Sequence, residues 1–188
     1  MFVVMSLLIG LLAAGQLQTL NAVGLSAHDP HVRPLEKDAD RVLAKGLAKS
    51  PTFRRLVSRL EQSDVIVYVR LGWDLPQHIG GRLHFLAVHG ESRYLVVDLN
   101  RAVAQTALVA LLGHELQHAV EVAEDRDVTS PADLRVLYRR VGIQTGADRY
   151  DSIAARRAGY DVLREEAASR RHSTREASAM GSLSESAE

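Results

Sequence analysis

The chain of 188 residues contains no cysteine, which excludes disulfides, thiolate metal ligands and cysteine nucleophiles. It has no excess of charge of either sign, with 23 Lys and Arg against 23 Asp and Glu. A nucleic-acid-binding domain is ordinarily strongly basic, so nucleic acid is not expected as a partner. The arginine pairs at 54–55, 139–140, 156–157 and 170–171 read instead as solvated helix faces. Glycine-rich phosphate loops, internal repeats and heptad arrays are lacking too. So is an apolar run of the roughly 20 residues that a membrane span requires. The segment from Phe2 to Ala14 is shorter than that and matches the apolar region of a signal peptide, although no basic residue precedes it and Arg33 is the first. Residues 1–27 are therefore read as a signal peptide or N-terminal anchor. The protein is expected to be exported, periplasmic or secreted, with membrane anchoring if the segment is retained. About 160 residues remain for one domain.

Against these absences one pentapeptide stands out, His114-Glu115-Leu116-Gln117-His118. It lies in a stretch, about 103–122, with no proline and one glycine, which reads as helix. Residues four apart stand one turn above each other, so both imidazoles project from one face. Two histidines so placed can bind one Zn²⁺ through ring nitrogens. Glu115 flanks the same face, in reach of a metal-bound water as general base. Residues 107–112 before the motif and 119, 120, 122 and 123 after it are apolar, so the helix is expected to be buried on nearly all sides. Two His and a Glu placed there are costly without partners. A core helix with locally satisfied histidines is the competing explanation, and one buried His is ordinary. Two with a Glu at this spacing are not. The chemistry indicated is metal-assisted hydrolysis, most often of a peptide bond.

A catalytic zinc takes a third protein ligand and keeps a position for water. Glu121 follows His118 by three residues on the same face, but stands two turns beyond His114. Glu124 occupies the place of the third ligand in metzincins. Those enzymes turn the chain with a glycine where this sequence has Glu121, a good helix former, so the metzincin pattern is not met. A second helix is expected after residue 130, with Ser130 as N-cap, Pro131 in the first turn and Asp133 at the positive end. It should break near 142–146, and a third helix should run over about 148–169.

Within that third helix residues 150–159, Tyr-Asp-Ser-Ile-Ala-Ala-Arg-Arg-Ala-Gly, resemble the ligand helix of gluzincins. There an acidic ligand precedes small residues that allow close packing on the H-E-x-x-H helix. Over about 64–165 the chain is similar to small single-domain gluzincin-like zinc metallopeptidases. The resemblance implies a zincin-like α+β fold, a Zn²⁺ cofactor, a peptide or protein substrate, and Asp151 in the place of the metal-binding Glu, beside His114 and His118. The chain departs from the family twice. Its acidic residue is one methylene shorter, and the Asp that many gluzincins place four residues later, to hold a zinc-binding His by a hydrogen bond, is Ala155. Glu121 and Glu124 therefore stay open as alternatives to Asp151.

Upstream, residues 64–71, 82–89 and 92–99 read as strands, the last two joined at Gly90-Glu91. A short antiparallel meander packed on one face by helices is the expected architecture. Either of the last two strands could lie above the metal and pair with extended substrate. Asn100 reads as the N-cap of the motif helix. The loop 72–79, with Trp73, is either a cleft rim or an ordinary connection. His84 and His89, five apart on a strand, should face opposite sides; His78 and His172 read as solvated. Candidates to stabilise an oxyanion are Tyr138, Arg149, Tyr150 and His84. Residues 35–62 read as a helix pair broken at Ser50-Pro51, with Leu43, Leu47, Phe53, Leu56, Val57 and Leu60 as its apolar face. The domain is placed at 28–168, and 169–188, rich in Ser, Ala, Glu and Arg, reads as a disordered tail. Two functional classes result: a zinc peptidase with Glu115 as catalytic base, or a non-catalytic binding or structural domain with a closed metal site or none.

Overall fold

Strand Ser92–Asn100 is buried on both faces along most of its length, and a strand of that kind belongs in the interior of a sheet. The computed structural model describes residues 29–185, apart from 74, 77, 147 and 148. The chain divides into two units, Met1–Pro30 and His31–Glu188. The expected signal peptide or anchor at 1–27 lies outside the described residues. No helix among the described residues is long and apolar enough to cross a membrane.

The second unit is α+β. Its main sheet has four strands, β1 (Val32–Pro34), β2 (Val65–Gly72), β3 (Gly81–His89) and β4 (Ser92–Asn100), in the order β1-β2-β4-β3. β1 and β4 both run parallel to β2, and only β3 is antiparallel, to β4. The antiparallel meander expected from sequence is thus corrected to a mixed sheet. The β3–β4 hairpin, closed by Gly90 at φ 59°, slots β4 between β2 and β3. The half-polar β3 is left at the edge, where exposure costs least. A β-bulge between Phe85 and Ala87 reverses the side-chain alternation. His84 and His89 consequently share a face, opposite Val96 and Ser92, rather than pointing to opposite sides.

Among the described residues five helices flank these strands: α1 (Lys37–Lys49), α2 (Pro51–Glu61), α3 (Gln105–Glu124), α4 (Pro131–Val141) and α5 (Ile153–Glu185). The break at Ser50-Pro51 is as expected, with the Ser50 hydroxyl accepting from the Phe53 N–H. Ser130 caps α4 in the same way through Asp133. Asn100 does not cap α3. Residues 101–104 intervene, and its side-chain amide donates to Ile79 O at 3.0 Å, holding the preceding loop to the sheet. Trp73 in that loop is exposed. α5 begins at Ile153 rather than near 148, because a small hairpin, β5 (Ile143–Gly146) and β6 (Arg149–Asp151), precedes it. Its backbone continues to Glu185, where composition predicts disorder from Ser169. Ala, Arg and Glu favour helix there, and no proline interrupts them.

The core lies between the sheet and α3. Val65, Val67 and Val69 of β2 and Leu95, Val97 and Leu99 of β4 meet Leu108, Leu112 and Leu116. Arg93 fastens the far end of α3 to the sheet. Its guanidinium pairs with Asp64 and donates to the carbonyls of Val122, Ala123, Asp125 and Val128. α5 packs directly on α3 through two glycines. A Cβ on Gly113 would stand 2.8 Å from Val162, and one on Gly159 would stand 3.2 Å from His114 Cβ. At its middle α5 is held to the α1–α2 joint, where Thr52 N–H and Oγ1–H donate to Glu165 and Lys45 pairs with the fully buried Glu166.

Candidate metal centre

α3 brings His114 and His118 to one face, and the turn between β6 and α5 brings Asp151 against them. Asp151 Oδ1 lies 3.3 Å from His114 Nε2 and 3.6 Å from His118 Nε2. One ligand atom from each of the three residues falls within 4.8 Å of the others. The rings stand edge to face with centroids 4.9 Å apart. Asp151 Oδ1 is buried and makes no hydrogen bond, although both imidazole Nε2 atoms stand within ion-pairing distance of it. Its other oxygen accepts from Arg156 Nε at 2.7 Å, which leaves Oδ1 as the free donor atom.

The far side of His118 is occupied. Its Nδ1 lies 2.9 Å from Glu121 Oε2, and Ser152 Oγ donates to Glu121 Oε1. The His118 and Tyr138 rings stand edge to face with centroids 5.0 Å apart, and the Tyr138 hydroxyl donates to the His118 carbonyl at 3.3 Å.

Glu115 is buried beside this cluster, under the start of β3. The approach is close enough that a Cβ on Gly81 would stand 2.8 Å from Glu115 Oε1. The absence of a side chain at Gly81 therefore lets the edge strand pass over the carboxylate. Asn100 N–H donates to Gly80 O, which makes 80 and 100 a hydrogen-bonded pair. By alternation, the backbone groups of 81 and 83 point to the outer edge of β3.

Charge is tuned by these neighbours. Burial pushes Glu115 up to about 7; the Asp151 carboxylate adds to this, while His118 and the Leu83 N–H oppose it. Burial disfavours a charged His118, but Asp151 and Glu121 outweigh it and push the ring up to about 9. Burial and then the adjacent His118 lower His114. Burial would raise Asp151, yet His118 and Arg156 hold it down at about 2.

Of the residues singled out in the sequence, His114, Glu115, His118 and Asp151 come together. Asp151 does so from the end of β6 and not from within a helix. Glu121 stands behind His118, and the exposed Glu124 pairs with Arg59. His84 lies on the sheet face opposite the core residues Leu83 and Phe85, 3.4 Å from Asp98, and so turns away from the centre. Tyr138 touches it but spends its hydroxyl on the His118 carbonyl. Three contributors were not apparent in the sequence: Ser152, Arg156 and Gly81. Only Ser152 carried a local signal, as a helix N-cap next to Asp151. Comparison with family models, curated proteins and solved structures finds no match.

Proposed function

We propose that the protein is a zinc-dependent hydrolase acting on peptide bonds, with a zincin-like grouping of edge strand, H-E-x-x-H helix and ligand turn. The observation that carries this reading is the buried Asp151 Oδ1, which lacks a hydrogen bond and sits at the focus of two imidazole Nε2 atoms. Two imidazole nitrogens and a carboxylate oxygen thus converge on one point, and no hydrogen bond among them closes it. Two nitrogens and one carboxylate oxygen suit zinc and leave a fourth position free. A closed, non-catalytic site would need Glu121 or Glu124 as fourth ligand. Glu121 is engaged on the opposite side of His118, and Glu124 on Arg59.

When bound, zinc supplies Lewis acidity that brings the pKa of a coordinated water towards neutrality. Glu115 does the proton work. Buried beside the two imidazoles, it is placed to accept a proton and return it. It takes one from the water whose oxygen adds to the peptide carbonyl carbon, and delivers it to the amide nitrogen as the C–N bond breaks. Asp151 stays ionised and Arg156 holds it in place. The outer backbone groups of Gly81 and the Leu83 carbonyl offer an extended peptide a strand edge to pair with, while the Leu83 N–H is turned to Glu115.

Elemental analysis for zinc and mass-spectrometric screening of peptide hydrolysis, both on the full chain, test the reading. Glu115→Gln should retain zinc and lose at least about 100-fold in turnover, the typical scale of general acid–base catalysis. His114→Ala should lose both zinc and activity. No zinc after reconstitution, or full turnover by Glu115→Gln, would refute it.

A further inference from the structure

We infer that Glu121 and Ser152 are positioning residues of the metal centre, which hold His118 in place through a hydrogen-bonded relay. The inference rests on the zinc reading of the same cluster. The Ser152 hydroxyl is used in both directions. It accepts from the Ala155 N–H at 2.9 Å, capping α5, and donates to Glu121 Oε1. Glu121 Oε2 in turn faces His118 Nδ1 at 2.9 Å. A carboxylate in this state only accepts, so a neutral His118 keeps its proton on Nδ1 and its lone pair on Nε2. Nε2 is the atom that faces Asp151 Oδ1.

The groups of this relay have little exposed surface, although Glu121 and Ser152 line the wall of an open cleft. Ser152 and His118 are buried and the Glu121 side chain is only 11% exposed. The directionality matters as much as the contacts. Ala155 N–H orients the serine, the serine orients the carboxylate, and the carboxylate selects the tautomer and fixes the ring plane. Ser152 also follows Asp151 directly. One hydroxyl therefore ties the ligand turn to α3, so that His118 and Asp151 are placed together although they come from different elements. Glu121, read in the sequence as a possible ligand, is on this geometry the residue that makes a ligand competent.

Zinc affinity of the full-length chain, measured by competition with a chromophoric chelator, tests this. Glu121→Ala should weaken binding about 10–100-fold, the usual effect of losing such a partner. Glu121→Gln should recover part of the loss, because its amide oxygen still accepts from Nδ1–H. Ser152→Ala should weaken binding as well, and Glu124→Ala, on the same helix but paired with Arg59, should not. Visible absorption of the Co²⁺-loaded protein should shift in Glu121→Ala and stay put in Glu124→Ala, a signature that general loss of stability does not produce. If Glu121→Ala fails to fold by circular dichroism, Glu121→Gln and Ser152→Ala decide the matter. Wild-type affinity in the folded Glu121 and Ser152 variants, with His118→Ala unable to bind, would overturn this inference alone. A wild-type protein that takes up no zinc would overturn the zinc reading and this inference with it.

Discussion

Replacing Arg93 by Met should destabilise the protein severely, because it removes the clamp that holds the end of α3 on the sheet. The Arg93 side chain is 4% exposed and makes six hydrogen bonds, two to Asp64 and four to main-chain carbonyls. Val122 and Ala123 belong to the last turn of α3, whose carbonyls have no partner within the helix. The cation also sits at the negative end of the helix dipole. Met keeps the apolar stem, so packing changes little and the loss falls on the polar contacts. The Val122 carbonyl retains the Asp125 N–H, whereas the buried Val128 loses its guanidinium donor. An unsatisfied buried acceptor costs about 1–3 kcal/mol. Asp64 is partly exposed and regains water, so its lost pair adds only about 1 kcal/mol, the scale of surface pairs. Together these give about 3 kcal/mol, a large share of the roughly 5–15 kcal/mol of a typical domain. With a urea dependence of about 2 kcal/mol per molar, the midpoint should fall by about 1.5 M. Arg93→Lys should be intermediate, since an ammonium has three donors and no fork. A shift of less than about 0.5 kcal/mol for Arg93→Met, the level of an ordinary surface change, would refute this account.

Two further outcomes are expected. In Gly81→Ala the new Cβ meets the free end of Glu115, so the carboxylate swings aside: stability should change by about 1 kcal/mol or less, while turnover falls by about 100-fold with zinc retained. Unchanged peptide hydrolysis by this variant would mean that Glu115 is not placed by the edge strand. In the metal-free protein His118 titrates at about 9, above its ordinary value of about 6.5, so the proton on it stabilises the fold fully below about 6.5 and that contribution is lost as pH rises through about 9. Zinc needs the neutral ring, so binding at pH 8 should release about one proton, and affinity should rise about tenfold per pH unit up to about 9. Calorimetry in buffers of different ionisation enthalpy measures the proton directly, and none released at pH 8 would contradict the arrangement around His118.

Features written within one turn of chain were legible from residues alone. The four-residue spacing of His114 and His118 placed both rings on one face, and Ser50-Pro51 and Ser130-Pro131 marked helix starts where α2 and α4 begin. The existence of β2, β3 and β4 followed from their β-branched runs. Their order did not, because it depends on which strand has two faces to bury, and β2 pairs with a strand 28 residues away. The bulge at Phe85/Ala87, which put His84 and His89 on one face, is likewise a property of the pairing and not of either residue. Asn100 looked like a helix cap and was drawn instead to the carbonyl of Ile79, a partner that exists only once the loop has folded back. At the centre, the motif identified His114, Glu115 and His118, and the resemblance pointed to Asp151. Glu121 could not be assigned from sequence, since its carboxylate is claimed by Ser152, 31 residues further on. Helical period and capping are local and are carried by neighbouring residues. Sheet order, the convergence of Asp151 on the two imidazoles and the placing of Glu121 between His118 and Ser152 follow from which distant surfaces bury one another, and only the folded chain decides that.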